Sequence, residues 1–460
     1  MRRQADEVLV EATTLDVDGR GVGLVEGIEV AALGLLPGER GRVTVEHKSP
    51  HAPKAWGRLA RLEGPPSPDR VVPACPAFGR CGGCALQHLA PAAAQAVKHA
   101  RVVAALAGVP GAAPPGFVVA PIVASPTEIH YRNKHKLVVG GAAGALILGA
   151  YAPASHDLLD TRGCRVPEEP LGKLADEVRT ALDATGLPPW DERKERGALA
   201  HVVLRRTDAG KLLVVIVVRP RTSRAPLAVA AATLAKRRPA LVGVVLHTSA
   251  ARGGAIFDPA GTDDVLHGVA TVEDRVGDVA LALSARSFFQ INRAQAGRLY
   301  ARVATLAAGA RGAVDLYGGV GGIALTLARA GIPVVGVETL ADATADATRS
   351  AAAQALSAQA RFVTADAAAG LADAAASLPA LDVVVVNPPR KGLAPAVAAA
   401  VLAAAPRRLI YVSCGPESLA RDLATLAQGG YDLAGVEPYD LLPGTPHVET
   451  LAWLDRRSPA

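Results

Sequence analysis

Several things are scarce in this 460-residue sequence, and each scarcity closes off a class of function. No apolar stretch approaches the roughly 18 residues that a membrane helix needs. The most strongly apolar run, Leu212–Val218, suits a buried strand instead. The opening MRRQADEVLVEATTLD lacks the apolar core of a secretory signal, so the expected location is the cytoplasm, with no membrane partner. Only five cysteines are present, and in a reducing compartment they are expected to bind metal or catalyse rather than form disulfides. Charged residues make up only 20% against 50% apolar ones, which excludes a disordered chain. Aromatics reach only 3% and Met occurs once; with the abundant Ala and Arg, this reads as genome composition bias. The net charge of +6 gives weak support for a polyanionic partner.

What is present falls into three stretches. Short apolar runs broken by glycine (VLVEATTLDVDGRGVGLVEGIEVAAL, GERGRVTVEHK, AWGRLARL) predict a small β-barrel over residues 1–64, followed by the link GPPSPDRVVP. This barrel resembles a TRAM domain, an RNA-binding module. Its charges nearly cancel, so a structural appendage is the other reading. Residues 65–285 predict a central α+β domain: a cysteine cluster, a helix over 92–106, then strands HKLVVGG, LLVVIVV and VGVVLHT alternating with short helices. Within it, residues 201–238 carry nine Lys/Arg against one Asp, either a surface that tracks phosphates or a solvated helix face. Residues 286–460 repeat strand, loop and Ala-rich helix, the helices expected over 341–360, 367–376 and 394–405. The fold class is therefore α/β, with a C-terminal doubly wound, Rossmann-like domain.

Chemistry concentrates in that last stretch. Asp315-Leu-Tyr-Gly-Gly-Val-Gly-Gly follows the first strand and opens a helix, and its glycines let a cofactor approach the backbone closely. Glu338 ends the next strand, where a carboxylate can accept ribose hydroxyls. Gly319, Gly321 and Ala324 also fit the dinucleotide pattern, so NAD binding stays open here. Asn387-Pro-Pro-Arg-Lys-Gly ends the fourth strand, and such a turn is typical of enzymes that methylate nucleobases, a purely structural turn being the alternative.

Cys414, in IYVSCGPES, is delivered by a strand into a loop ahead of a helix whose N-terminus would favour the thiolate. Alone it would be read as a packing thiol. Methylating C5 of uracil requires a thiolate to add at C6 and a base to remove the C5 proton, so a carboxylate must meet the cysteine. Glu449, in LLPGTPHVET, is the candidate, while His447 is read as structural. In Ser287-Phe-Phe-Gln-Ile-Asn, one phenylalanine is expected to stack on a flipped base and the other to pack in the core.

In order and approximate spacing, SFFQIN, DLYGGVG, GVE, NPPRKG, SCGPESLARDL and PHVET resemble the RNA 5-methyluridine methyltransferases, which modify 23S ribosomal RNA and the T-loop of tRNA. The resemblance spans nearly the whole chain. It implies S-adenosylmethionine as cofactor and RNA as partner, 23S rRNA first and tRNA second; the self-contained layout suggests a monomer. It also implies Cys414 as nucleophile, Glu449 as proton acceptor, and Gln290, Tyr317, Glu338 and Asn387 as cofactor contacts. The sequence departs from the family at Asn387, usually Asp, at Tyr317-Gly-Gly, usually Phe-Cys-Gly, and at Gly322, usually Asn. Those departures motivate a further reading, an RNA-binding relative without catalysis. Cys75, Cys81 and Cys84, spaced C-x5-C-x2-C, and the distant Cys164 suit a [4Fe–4S] cluster or a structural zinc. The spacing and the trailing Gln87-His88 resemble the cluster-bearing members, which implies iron–sulfur.

Overall fold

The computed structural model describes residues 7–153, 155–251 and 255–458. Residues 1–6, on which part of the signal-peptide reading rests, lie outside the described residues. Six strands between Glu7 and Leu62 form one sheet, whose inward positions Val10, Val30, Ala32, Val43 and Ala55 are buried together. The sheet curls: a Cβ on Gly23 would lie 2.2 Å from the carbonyl oxygen of Glu11, so only glycine allows that approach.

After the helix Pro91–Ala107 comes a seven-stranded mixed sheet with helices Glu169–Asp183 and Arg224–Arg237 packed on it. Leu212–Val218 runs through its middle with every residue buried, which accounts for a continuous apolar run where a one-sided strand would alternate. The nine cations of 201–238 do not form one stripe. Arg205 is buried beneath Ser287, Arg206 pairs with Glu168, Arg238 pairs with Glu177, and Arg219 lies over Trp190. Neither a single phosphate track nor a single solvated face describes them.

A hairpin, Thr271–Val276 and Val279–Ser284, then leans on the helix Ala341–Ala353. Alternate backbone N–H groups of Ala280, Ala282 and Ser284 donate to Gln354, Ser350 and Asp346, at 2.9, 2.8 and 2.9 Å. Four helical residues rise about 6 Å and two strand residues about 6.6 Å, so the two ladders stay in step. That helix is shorter than the Ala-rich stretch implies: it stops at Ala353, and Ala355 turns the chain away with φ 56°.

The C-terminal sheet contains β1 (Ala313–Leu316), β2 (Val334–Glu338), β3 (Ala360–Thr364), β4 (Val383–Val386), β5 (Arg408–Ser413), β6 (Tyr431–Tyr439) and β7 (Glu449–Arg456). Their spatial order is 3-2-1-4-5-7-6, with β1 to β5 parallel and β7 antiparallel to both of its neighbours. A dinucleotide-binding sheet keeps the order 3-2-1-4-5-6, so the inserted β7 speaks against the NAD reading of the glycine loop. Among the described residues, no helix is long and apolar enough to cross a membrane.

Candidate active site

Parallel strands bring their carboxyl ends to one edge, and the reversed β7 brings its amino end to the same edge. Tyr317, Glu338, Asn387, Cys414 and Glu449 all sit at or just beyond these ends. Ser413 pairs with Thr450 across β5 and β7. Cys414 follows this last pair on one strand and Glu449 precedes it on the other, so the two residues flank the same end of the ladder.

The two groups bear on each other electrostatically. Burial pushes the Cys414 thiol above its ordinary value, the Glu449 charge raises it further, and the Arg390 guanidinium pulls it down. The net shift is upward, with burial its largest cause. Glu449 is buried, and desolvation lifts its carboxyl to about 7 against a smaller opposing pull from Arg390. Arg390 thus acts on both groups. Sequence reasoning gave it no role, although its place three residues after Asn387 was a visible signal. Its backbone is tied to the cysteine loop by Ser418, whose hydroxyl donates to the Arg390 carbonyl at 3.0 Å.

The glycine loop is shaped by strain and by close packing. Tyr317 has φ 62°, a left-handed conformation that costs a non-glycine residue on the order of 1 kcal/mol. Gly321 has φ 84°, and a Cβ there would lie 2.9 Å from the Phe362 ring. Glu338 accepts from Gly319 N at 3.0 Å and from Leu340 N at 2.9 Å, so it holds the loop while keeping lone pairs for a ligand. Asp315 is buried with one oxygen on Ala324 N and the other without a partner among the described residues, and burial raises its carboxyl to about 7. Gly322 gives Tyr300 its place: a Cβ would meet that ring at 2.7 Å. The Tyr300 phenol is pushed up by burial, then by the charges of Asp315 and Glu449, which places it between the loop and the carboxylate. Sequence reasoning missed it, because it lies on the preceding helix Arg293–Leu306.

Gln290 belongs to a segment pinned from three sides. Ser287 bonds Asp346, the Gln290 carbonyl accepts from Asn133 at 3.1 Å, and Asn292 donates to the Leu441 carbonyl at 3.1 Å. Phe289 is buried in the core and Phe288 is 63% exposed, so Phe288 is the ring available for stacking. The His447 backbone N–H donates to Thr445 Oγ1 at 3.3 Å. Burial and the nearby cations Arg390, Arg101 and Lys98 push its ring below the ordinary imidazole value.

The loop leading to Glu449 is held by the N-terminal half. Lys98, fully buried, bonds Asp440 at 2.5 Å and the Leu442 carbonyl at 3.0 Å. Arg101 grips Glu417 with two nitrogens and reaches the carbonyls of Val17 and Pro446. Leu86 N donates to the Gly444 carbonyl at 2.9 Å, just beyond the cysteine segment. Burial raises the Cys84 thiol to about 11, with Cys164 and Cys81 adding to it, and Cys164 is raised in turn by Cys75 and Cys81. The four thiols therefore share one neighbourhood. Among the described residues, no three His, Cys, Asp or Glu side chains already stand in a metal-holding geometry.

Residues 261–457 match the family model described as tRNA (Uracil-5-)-methyltransferase. An uncharacterized RNA methyltransferase of Bacillus cereus is 33% identical over 441 residues, covering 95% of this chain and 94% of that protein. One from Gloeobacter violaceus is 36% identical, covering 98% of this chain and 97% of its own. In structure, the chain is similar to the Pyrococcus abyssi tRNA (uracil-54, C5)-methyltransferase in complex with S-adenosyl-L-homocysteine, with TM-score 0.75, 24% identity, and coverage of 97% of this chain and 100% of that one.

Proposed function

Since this chain belongs to the RNA uracil-5-methyltransferase family, we propose that it transfers a methyl group from S-adenosylmethionine to C5 of a uridine in 23S rRNA, with Cys414 as covalent nucleophile. The observation that carries this reading is the Ser413–Thr450 pair, which brings the neighbouring Cys414 and Glu449 to one edge, where the Glu449 charge is felt at the Cys414 thiol. The Cys414 thiolate adds to C6 of the ring, making C5 an enolate carbon. C5 takes the methyl group from the sulfonium, leaving S-adenosylhomocysteine. Glu449 removes the C5 proton, and the returning electron pair expels the thiolate from C6. Arg390 lies where it stabilises both the thiolate and the carboxylate. Gln290, Tyr317, Glu338 and Asn387 are assigned to the donor, Asn387 offering an acceptor and a donor where a carboxylate would offer only acceptors. Phe288 is assigned to stacking on the extruded base.

In this reading residues 1–64 act as a TRAM-like RNA-binding barrel, 65–285 as the central RNA-binding domain and 286–460 as the catalytic domain. The barrel and the cysteines support 23S rRNA. A tRNA uridine is the second reading, favoured by the family model's description. Labelled S-adenosylmethionine, offered with rRNA or tRNA from cells lacking this gene, is expected to label 23S rRNA at C5 of one uridine. Label in tRNA alone would move the substrate, and label in neither would leave a non-catalytic RNA binder.

Cys75, Cys81, Cys84 and Cys164 would hold a [4Fe–4S] cluster, fixing the segment that Leu86 ties to Gly444; the methyl transfer needs no electron from it. Anaerobically purified protein is expected to contain about four irons per chain. Zinc in place of iron would make the site a structural zinc centre.

A further inference from the structure

A cavity of about 920 Å³ opens on the central sheet, and none of the residues assigned above to the donor, the nucleophile or the base lines it. Its floor carries Lys136 and His201, and one wall is Trp190 with Arg219 over it, the guanidinium carbon 4.4 Å from the ring centroid. Arg219 is held edgewise by the carbonyls of Ala251 and Ala250, at 2.6 and 3.4 Å. Its Nε, and Nδ1 of His201, are buried without a protein partner among the described residues. A flat cation fixed on an indole, next to unspent donors, is a stacking platform for a planar ring with polar edges. Arg196 and Arg221, both exposed, stand at the rim and suit phosphate. Glu192 on the lip can accept from a base edge.

The cavity also communicates with the active-site segment. Lys134 and Lys136 lie on one face of the strand Lys134–Ala142. Lys134 and Arg205 both donate to the Ser287 carbonyl, at 3.1 and 2.7 Å, directly before the exposed Phe288. The register His201 to Val138 and Arg205 to Lys134 runs the cavity floor toward that point, about 13 Å along the strand. The strand thus joins the cavity floor to the segment that carries Phe288.

We propose that this cavity binds a second nucleotide of the RNA substrate, outside the target uridine, with its base stacked on the Arg219–Trp190 pair and its phosphates on Lys136, Arg196 and Arg221. The proposal rests on the RNA methyltransferase reading but concerns binding, so it can be measured without turnover. The probe is a fluorescein-labelled, mixed-sequence single-stranded RNA of about 20 nucleotides, a length that exceeds one single-strand binding module. Trp190→Ala is expected to weaken its binding about tenfold. The surface pair Arg196→Glu and Arg221→Glu, which leaves the packed wall intact, is expected to weaken binding and flatten its salt dependence. Unchanged binding of S-adenosylhomocysteine shows that each variant is folded. Wild-type affinity for the RNA in both variants overturns the proposal, as does GMP binding the wild-type cavity as tightly as the RNA does. If the wild-type protein methylates no RNA yet binds the probe through Trp190, the enzymatic reading fails and the cavity assignment stands. If it methylates RNA and the variants bind normally, only the cavity assignment fails.

Discussion

Cys414→Ala will reduce methyl transfer by at least about 10⁴-fold, because it removes the thiolate proposed to add to C6 of uracil. The substitution removes a half-buried thiol and leaves β5 intact, so folding is expected to survive it. RNA containing 5-fluorouridine offers the sharper measurement. Fluorine cannot leave as a cation to Glu449, so the wild-type enzyme is expected to stall as a protein–RNA adduct that resists denaturing electrophoresis. Cys414→Ala is expected to form none. An adduct that persists in Cys414→Ala would assign the nucleophile elsewhere.

Glu449→Gln will have the opposite signature: loss of turnover with gain of adduct. The amide fills the same space but cannot take the C5 proton, so ordinary RNA is methylated and then held on Cys414. A fall in kcat of about 10²- to 10⁴-fold is expected for losing a positioned general base. The pH profile separates this role from simple packing. Burial raises the Glu449 carboxyl to about 7, and only its ionised form is a base. Activity of the wild type should therefore rise with pH through about 7. Because the Cys414 thiol is also raised, the rise should continue on the alkaline side rather than level off at once. In Glu449→Gln the residual rate should lose the step near pH 7. A retained step would show that another group carries it.

Much of this site was legible because each part sits where a strand ends. The glycine loop after β1, the acid after β2, the turn after β4 and the cysteine after β5 each combine a period change with an unusual residue. What the sequence hides is register. That Ser413 pairs with Thr450 depends on β7 slipping between β5 and β6, and no local pattern marks that insertion. Arg390 was hidden for a different reason: a long, flexible cation reveals its target only through what surrounds it. Tyr300 reaches the site from an earlier helix, and Lys98 and Arg101 reach it across more than 300 residues of chain. The nine central cations do not act as one group: neighbours along a strand point to opposite faces, so Arg205 and Arg206 serve different partners.

The grip of Lys98 and Arg101 on the approach to Glu449 bears on modularity. Excised, residues 286–460 would carry the proposed nucleophile, base and stacking ring, yet Asp440 would lose its cation from a buried pair, a loss of about 3–5 kcal/mol. The catalytic half is thus not a cassette that can be grafted onto another RNA-binding front. Any swap between relatives must exchange the helix Pro91–Ala107 with the loop it clasps.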